Sequence, residues 1–252
     1  MEKLLDLYTD YLISSFGQTS ATGLADLVDN SIKHDSITRL LSGSDFAAKT
    51  LWKTVKPLVR EHQNEFACLI FDDCIIEKAY PDENDLICWH WDHSKKRNIK
   101  GINLLSAFYH TRKDTRSEIL RVPVSIETIK KTMRFCDLKT HKEKRKSDVS
   151  KNELMREMIL QALKNGLIFK YILGDSWFAS VENMSFIEKK KKFFIFDMQS
   201  NRLAAVSEED RKNGRWTSID KLEIPAQTPV KVWLKDLGCA CLDDQANLYK
   251  QR

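Results

Sequence analysis

Cys68-Leu69-Ile70-Phe71-Asp72-Asp73 is an apolar run of strand type that ends in two carboxylates. A second run, Tyr171-Ile172-Leu173-Gly174-Asp175, ends in one carboxylate, and 102 positions separate Asp73 from Asp175. Two carboxylates on neighbouring strand ends can hold divalent metal ions for phosphoryl-transfer chemistry. Either aspartate taken alone is more typical of a cap on the turn after a strand. The arrangement of the surrounding elements must therefore decide between the two interpretations.

The elements around the two runs predict a mixed α/β fold. Three consecutive strands are followed by helix, strand, helix and strand. In such an order the first three strands form a meander and the later strands join it in parallel, as in an RNase H-like fold. The ends of the first and fourth strands then lie side by side, which would bring Asp73 and Asp175 together. The predicted strands cover 67–71, 99–109, 119–126, 168–173 and 193–196, and the predicted helices cover 150–164 and 181–191.

Local signals add detail to these elements. Ser150 and Glu153 form a capping box at the start of the first predicted helix, and Asn165-Gly166 ends that helix. Pro123 predicts an edge position or a bulge for the third strand. The basic segment 137–149 is expected to be mobile. Lys189 to Lys192 are expected to end a helix, where cations suit the negative end of the helix dipole.

The chain divides into three predicted regions. Residues 1–62 are helical, residues 63–198 form the RNase H-like core, and residues 199–252 form an incomplete β-rich piece. Strands are expected in this last piece near 222–224 and 230–234.

The helical region contains two short predicted helices joined by a brief turn, with Ser36 as the N-cap of the second. This pattern fits a helix-turn-helix, which would place Thr38 and Arg39 at DNA. Small helical subdomains that do not contact DNA show the same pattern, so both interpretations stay open.

The charge distribution indicates a polyanionic partner. Residues 94–146 carry sixteen Lys or Arg against five Asp or Glu, a balance of +11 within a chain whose net charge is +5. The rest of the chain is therefore near −6. Positive charge concentrated in this way is typical of a nucleic-acid surface. A solvated loop face is the alternative for any single cluster.

Composition excludes several other classes. Hydrophobic residues at 42% and charged residues at 31% are ordinary for a globular protein. No apolar run approaches the roughly 20 residues that span a bilayer, and the acidic N-terminus does not resemble a signal peptide. The six cysteines form no Cys-x-x-Cys pair and are expected to be reduced thiols. We therefore expect a cytoplasmic protein without a membrane partner.

Two clusters of aromatic, His and Cys residues invite a functional interpretation. Cys88, His90 and His93 are candidate zinc ligands, but a second ligand pair is missing, which favours aromatic packing or a loop near DNA. Trp177 and Phe178 are expected in the core rather than stacked on bases.

With these features the chain resembles the DDE transposases of bacterial insertion sequences, in the group with a β-rich insertion in an RNase H-like core. The resemblance extends over nearly the whole length and is most specific at Phe71-Asp72-Asp73-Cys74-Ile75-Ile76-Glu77-Lys78. Further matching motifs are Cys88-Trp89-His90-Trp91-Asp92-His93-Ser94, Lys100-Gly101-Ile102-Asn103, Gly174-Asp175-Ser176-Trp177-Phe178 and Thr38-Arg39-Leu40-Leu41.

The resemblance implies a role for each motif. Asp73 and Asp175 would be the catalytic metal ligands, holding Mg²⁺ or Mn²⁺, while Asp72 would be structural. The implied activity is metal-dependent DNA strand cleavage and strand transfer in transposition. The implied partners are transposon ends and target DNA, together with a second copy of the complete protein, at the bacterial nucleoid. The expected DNA contacts are Thr38, Arg39, Lys78, Lys95, Lys96, Arg97, Lys100 and Arg202.

One element of the family pattern has no counterpart in this sequence. The family's third ligand is a Glu on a late helix, within a Tyr-x-x-Arg-x-x-x-Glu type motif. Arg215 lacks both the Tyr and the Glu of that motif. We therefore expect a truncated copy that stops inside the β-rich insertion. Two functions stay open, a metal-dependent transposase and a catalytically inactive relic that binds DNA or inhibits transposition.

Overall fold

The computed structural model describes residues 2–17, 19–43, 47–112, 119–225, 228–235, 237–243 and 247–249. The chain forms two compact units, Met1–Thr50 and Leu51–Arg252. No helix of the described residues is long and apolar enough to cross a membrane.

The first unit contains three helices, α1 (Glu2–Ser14), α2 (Ala21–Leu27) and α3 (His34–Gly43). Tyr11, Leu24 and Ile37, one from each helix, form its small core. The hydroxyl of Ser20 accepts the backbone N–H of Gly23 at 2.9 Å and caps α2.

The predicted N-cap at Ser36 is wrong, because α3 already begins at His34. Asp29 and Asn30 adopt positive φ values of 51° and 56°. These two successive left-handed residues form a short turn before α3, and the first helical residue is His34, three residues before the expected Ile37.

The second unit is built on a large mixed sheet, which confirms the α/β class. The strands that matter for the site are β1 (Cys68–Glu77), β3 (Arg97–Arg112), β4 (Ile119–Thr128), β7 (Tyr171–Gly174) and β8 (Phe193–Asp197). They lie in the order β4-β3-β1-β7-β8. The β4, β3 and β1 strands are antiparallel neighbours, whereas β7 and β8 run parallel to β1. The first and fourth strands predicted from the sequence are therefore adjacent.

A bulge interrupts the pairing of β3 with β4. Ala107 lies opposite Ser125 and Phe108 lies opposite Pro123, so the register shifts by one residue at this point. Proline has no N–H to donate to the ladder, and this is the irregularity that Pro123 predicted.

Strand β2 (Cys88–Asp92) was not expected from the sequence. It pairs with the first half of β3, from Cys88 opposite Gly101 to Asp92 opposite Arg97. Cys88 and His90 are buried while Trp89 and Trp91 are exposed. This strict alternation is the signal of a half-buried strand.

The segment expected to be mobile instead forms much of a two-stranded ribbon, β5 (Met133–Asp137) and β6 (Lys142–Lys146). Asp137 stabilises the connecting turn, since its Oδ1 accepts the backbone N–H of Lys139 at 2.9 Å. Arg134 and Glu143 form an ion pair across the ribbon at 3.3 Å. Turn capping and cross-strand pairing thus order a stretch whose composition alone suggested disorder.

Helices α4 (Ala48–His62), α5 (Lys151–Lys164) and α6 (Val181–Lys189) contribute to the core of the second unit or border it. The predicted capping box of α5 is present, with Ser150 accepting from the N–H of Glu153 and Glu153 accepting from the N–H of Ser150. The helix ends as predicted, at Asn165 followed by Gly166 with φ 70°. Met155, Met158 and Ile159 of α5 are buried in the core with strand residues such as Phe71 and Phe194.

Asn183 of α6 is fully buried and ties three segments together. Its Oδ1 accepts from Nη1 of Arg156 on α5 at 2.6 Å. Its Nδ2 donates to Oδ1 of Asn152 and to the carbonyl of Phe178, both at 3.0 Å. The loop between β7 and α6 is therefore bonded to the first half of α5.

The remaining strands extend the sheet beyond β8. They are β9 (Leu203–Ala205), β10 (Thr217–Ser218), β11 (Val230–Leu234), β12 (Gly238–Leu242) and β13 (Asn247–Tyr249). Their order in the sheet is β10-β9-β11-β12-β13-β8. The strand predicted at 222–224 is wrong: a 3₁₀ turn (Ile219–Lys221) stands just before it, and Pro225 follows it. The strand predicted at 230–234 is present as β11. Helix α7 (Glu208–Lys212) stands between β9 and β10 in the chain.

Candidate active site

The two strand-end aspartates meet at one cleft. The parallel pairing of β1 with β7 reaches Ile70 opposite Leu173, and the two aspartates follow three and two residues further along. The cleft has a volume of about 490 Å³. Its lining includes Asp73, His90, Asn103, Lys131, Lys151, Asp175 and Trp177.

Asp72, for which the resemblance implies a structural role, also lies close to this site. It borders an adjoining cleft of about 360 Å³ together with Asp73 and Asp175. Its Oδ1 accepts the backbone N–H of Asp73 at 2.9 Å. Three carboxylates therefore share one end of the sheet.

The pKa of Asp175 reflects the crowding of negative charge in the cleft. Burial raises the pKa of its carboxyl, and the negative charges of Asp73 and Asp72 raise it further. The backbone N–H of Trp177 donates to Oδ1 of Asp175 at 3.0 Å and opposes this shift. A divalent cation would relieve the repulsion, so the electrostatics of the cleft favour cation binding.

Lys151 is a member of the site that sequence reasoning missed. Its Nζ donates to Oδ2 of Asp73 at 2.6 Å, and both side chains are mostly buried. The same Nζ lies 5.8 Å from the ring centroid of Trp177. Lys151 is the first residue of α5, so the Ser150 capping box fixes where it stands. The capping box was the sequence signal for the position of Lys151. It does not reveal that Lys151 pairs with Asp73, because that contact depends on how α5 packs.

His90 and Asn103 lie in the same cleft and are 6% and 2% exposed. Nε2 of His90 and Oδ1 of Asn103 are the buried side-chain atoms without a hydrogen-bond partner in the described part of the chain. An unpaired buried polar atom costs about 1–3 kcal/mol, so two in one cleft call for a physical reason.

The pKa of His90 is lowered to about 4. Burial is the main cause, and the ammonium groups of Lys131 and Lys151 add to it. The charge of Asp73 and the backbone of Gly101 act in the opposite direction. The imidazole is therefore neutral at physiological pH.

The carboxylates fit a hydrated magnesium or manganese ion. Within the described ranges no three His, Cys, Asp or Glu side chains stand close enough to form a metal cluster by themselves. Magnesium is commonly held by one or two carboxylates and keeps several of its waters. Asp73 and Asp175 offer hard oxygen ligands of this kind, and the repulsion around Asp175 favours a cation there.

Apart from Arg202, the predicted DNA contacts lie in two places. Thr38 and Arg39 are exposed on α3 of the first unit. In the second unit, Lys95 and Arg97 pair with Glu77 at 2.7 and 3.1 Å. Lys78, Lys96 and Lys100 belong to the same end of strands β1 and β3, and the backbone N–H of Lys78 donates to the carbonyl of Lys100 at 2.8 Å.

The structure also gives the positions of three further residues for which the sequence made a prediction. Arg202 donates from Nη1 to the carbonyl of Ala179, in the loop that follows Asp175. Phe178 is buried in the core as expected, but Trp177 is 53% exposed, so its expected core position is wrong. Trp177 lies in a turn where its N–H donates to Asp175, and its ring lines the cleft.

The chain belongs to the DDE superfamily endonucleases, whose family model matches residues 1–235. The resemblance to DDE enzymes is therefore confirmed. No curated protein matches the chain.

Among solved structures, the Drosophila P element transposase strand transfer complex is similar to this chain at 11% identity and a TM-score of 0.32. The match covers 74% of this chain and 35% of that one. The chain thus spans about a third of the length of that transposase.

Proposed function

We propose that the chain is a DDE transposase that cuts DNA and joins the cut end to target DNA, with Mg²⁺ or Mn²⁺ held by Asp73 and Asp175 in an RNase H-like core. The observation that carries the proposal is the parallel pairing of β1 with β7, which delivers both aspartates to one cleft. The strand order β4-β3-β1-β7-β8 supports the RNase H-like assignment.

Different residues of the cleft would bind the cation and orient the DNA. A bound divalent cation would supply Lewis-acid activation of the attacking and leaving oxygens of the phosphodiester. Asp73 and Asp175 would hold that cation. Lys151 pairs with Asp73, and a cation held by Asp73 would leave its ammonium group available for a phosphate oxygen. Trp177 presents an exposed ring at the rim, where a nucleobase could stack.

DNA would be bound by basic residues outside the cleft. Candidate contacts are the cations near Glu77, the exposed Thr38 and Arg39 of a helix-turn-helix in region 1–62, and the β5–β6 ribbon. Each lysine or arginine on a phosphate releases counterions, so affinity should fall steeply with salt. We further propose that the partners are transposon ends and target DNA, and that the protein acts as a homodimer at the bacterial nucleoid.

A cleavage and binding assay tests the proposal. The chain is incubated with duplex DNA and Mg²⁺ or Mn²⁺, and nicking and salt-dependent binding are measured in parallel. Asp73→Asn and Asp175→Asn should abolish metal-dependent nicking while DNA binding persists. Asp197→Asn is the matched control, because Asp197 also ends a strand, β8, but does not line the cleft.

The outcomes separate the two candidate functions. Nicking that depends on both aspartates and survives in the control supports a transposase. Salt-sensitive binding without nicking would instead indicate an inactive DNA-binding relic or an inhibitor of transposition. Nicking that persists in both aspartate variants would remove the cleft from the mechanism.

A further inference from the structure

We propose that His90 and Asn103 form a second binding surface in the cleft, which accepts hydrogen bonds from the water shell of the cation held by Asp73 and Asp175. This inference rests on the proposed function, since it concerns the same cation. It assigns a purpose to two buried side chains that the metal-ligand pattern of the family motif does not use.

Strand register places the three side chains on one face of the sheet. Residues opposite each other in an antiparallel pair point to the same side, and this side alternates along each strand. Asp73 is opposite Leu105, Asn103 is opposite Ile75, and His90 is opposite Ile99. Positions 99, 103 and 105 of β3 differ by even numbers, so His90, Asn103 and Asp73 share the face that lines the cleft.

The unpartnered atoms define what the surface can bind. The backbone of Gly101 hydrogen-bonds to the His90 ring in the direction that raises the pKa of the imidazole, as a carbonyl accepting the ring N–H does. Nε2 then carries a lone pair, and Oδ1 of Asn103 is an acceptor as well. A phosphate oxygen cannot satisfy two acceptors, because it has no hydrogen to donate. Water does, and water on a divalent cation donates strongly.

The ammonium groups in the cleft already have acceptors. Nζ of Lys131 donates to the carbonyl of Trp89 at 2.6 Å, and Nζ of Lys151 donates to Asp73 at 2.6 Å. His90 does not join the carboxylates in a direct three-residue metal cluster in the described part of the chain. An arrangement with two carboxylates on the metal and His90 and Asn103 on its waters satisfies every one of these constraints.

The test measures cation binding by the full chain without reference to cleavage. One probe is Mn²⁺, followed by the EPR signal of the free ion. The other is cobalt(III) hexammine, whose ammonia ligands do not exchange, so it binds only through charge and hydrogen bonds. His90→Phe and Asn103→Leu replace the acceptors with apolar groups of similar size, and each should weaken both probes about tenfold or more.

Two variants serve as controls. His90→Gln keeps a side-chain acceptor and should retain most of the affinity. His93→Gln alters an exposed histidine that lines the same cleft and should bind both probes like the wild type. Urea unfolding of each variant confirms that the fold is kept, and Asn103→Leu provides the answer if His90→Phe does not fold.

The results distinguish this inference from the proposed function. If His90→Phe and Asn103→Leu bind both probes normally while Asp73→Asn does not, the water-shell surface is refuted and the metal site stands. If pulsed EPR of bound Mn²⁺ shows a directly coordinated imidazole nitrogen that His90→Phe removes, the water-mediated arrangement is refuted. If the wild type binds neither probe, both proposals fail.

Discussion

Acid should destabilise this protein through His90, and the size of the effect follows from its surroundings. The pKa of the imidazole is about 4 in the folded chain, against an ordinary value of 6.5. At 1.36 kcal/mol per unit this difference corresponds to about 3 kcal/mol of unfolding free energy. The side chain is 6% exposed, so solvent screening removes little of it. Protonation of this single residue would thus cost a large share of the stability of an ordinary domain.

The sign of the effect follows from which protonation form of His90 the folded state disfavours. Burial and the ammonium groups of Lys131 and Lys151 disfavour the protonated ring in the folded state, and Asp73 and the Gly101 backbone only partly offset this. The unfolded chain therefore binds the proton more readily. The stability contributed by His90 is complete above pH 6.5 and is lost as the pH falls from 6.5 toward 4.

Urea unfolding at pH 4 to 7.5, in the presence of a chelator, measures this contribution. The wild type should lose about 3 kcal/mol more than His90→Gln over that range. Asp175 titrates with the opposite sign because its pKa is raised, but it is present in both proteins and cancels. His110→Gln is a suitable control, since the pKa of His110 is also lowered but its ring is less buried. Parallel stability curves for wild type and His90→Gln would refute the reasoning.

Three further predictions concern charge. Asp175→Asn should raise the unfolding free energy of the metal-free chain at pH 7 by about 1 kcal/mol, measured in urea, because it removes a desolvated charge beside two others; a loss of stability would contradict this. Lys151→Met should lower that free energy by about 1–2 kcal/mol. It should also tighten Mn²⁺ binding about tenfold, since no ammonium then competes for Asp73; unchanged Mn²⁺ affinity would show that the lysine does not compete. Replacing the three lysines of β6 with glutamine should reduce the salt dependence of DNA binding by about two to three ions, as each phosphate contact contributes about 0.9. The matched control removes three lysines at the end of α6, and equal effects would deny the ribbon a special role. The two sets are Lys142, Lys144 and Lys146, and Lys189, Lys190 and Lys191.

The meeting of Asp73 and Asp175 could be predicted from the sequence because it depends on strand order. Apolar runs of strand type reveal strand ends, and the alternation of helix and strand fixes which strands are parallel neighbours. The start of α5 was equally accessible, since Ser150 and Glu153 are close in sequence and their bonds are local. Interactions within a few residues, and the order of elements, can be inferred from the sequence itself.

Other parts of the site depend on register and packing, which the sequence does not display. Asn103 lines the cleft because of the register in which β3 pairs with β1. A shift of that register by one residue would turn its side chain to the other face of the sheet. The partner of Lys151 depends on the position of α5 over the sheet. The β2 strand, by contrast, has a sequence signal in the alternation of Cys88, Trp89, His90 and Trp91, but Cys88 and His90 are also typical metal ligands, so the same residues support two interpretations. In the β5–β6 ribbon, the many lysines suggested a mobile segment and gave no indication of the capped turn.

The buried amide of Asn183 couples the two sides of the cleft mechanically. It bonds α5 and the loop after Asp175 at once, while α5 also carries the lysine that neutralises Asp73. A shift of α5 toward or away from the sheet would therefore move a cation and an anion of the site together. We therefore expect any displacement of α5 to carry Lys151 and the loop after Asp175 together, on the slower timescale of collective motions, whereas the Lys151 side chain alone can still rotate on a faster one.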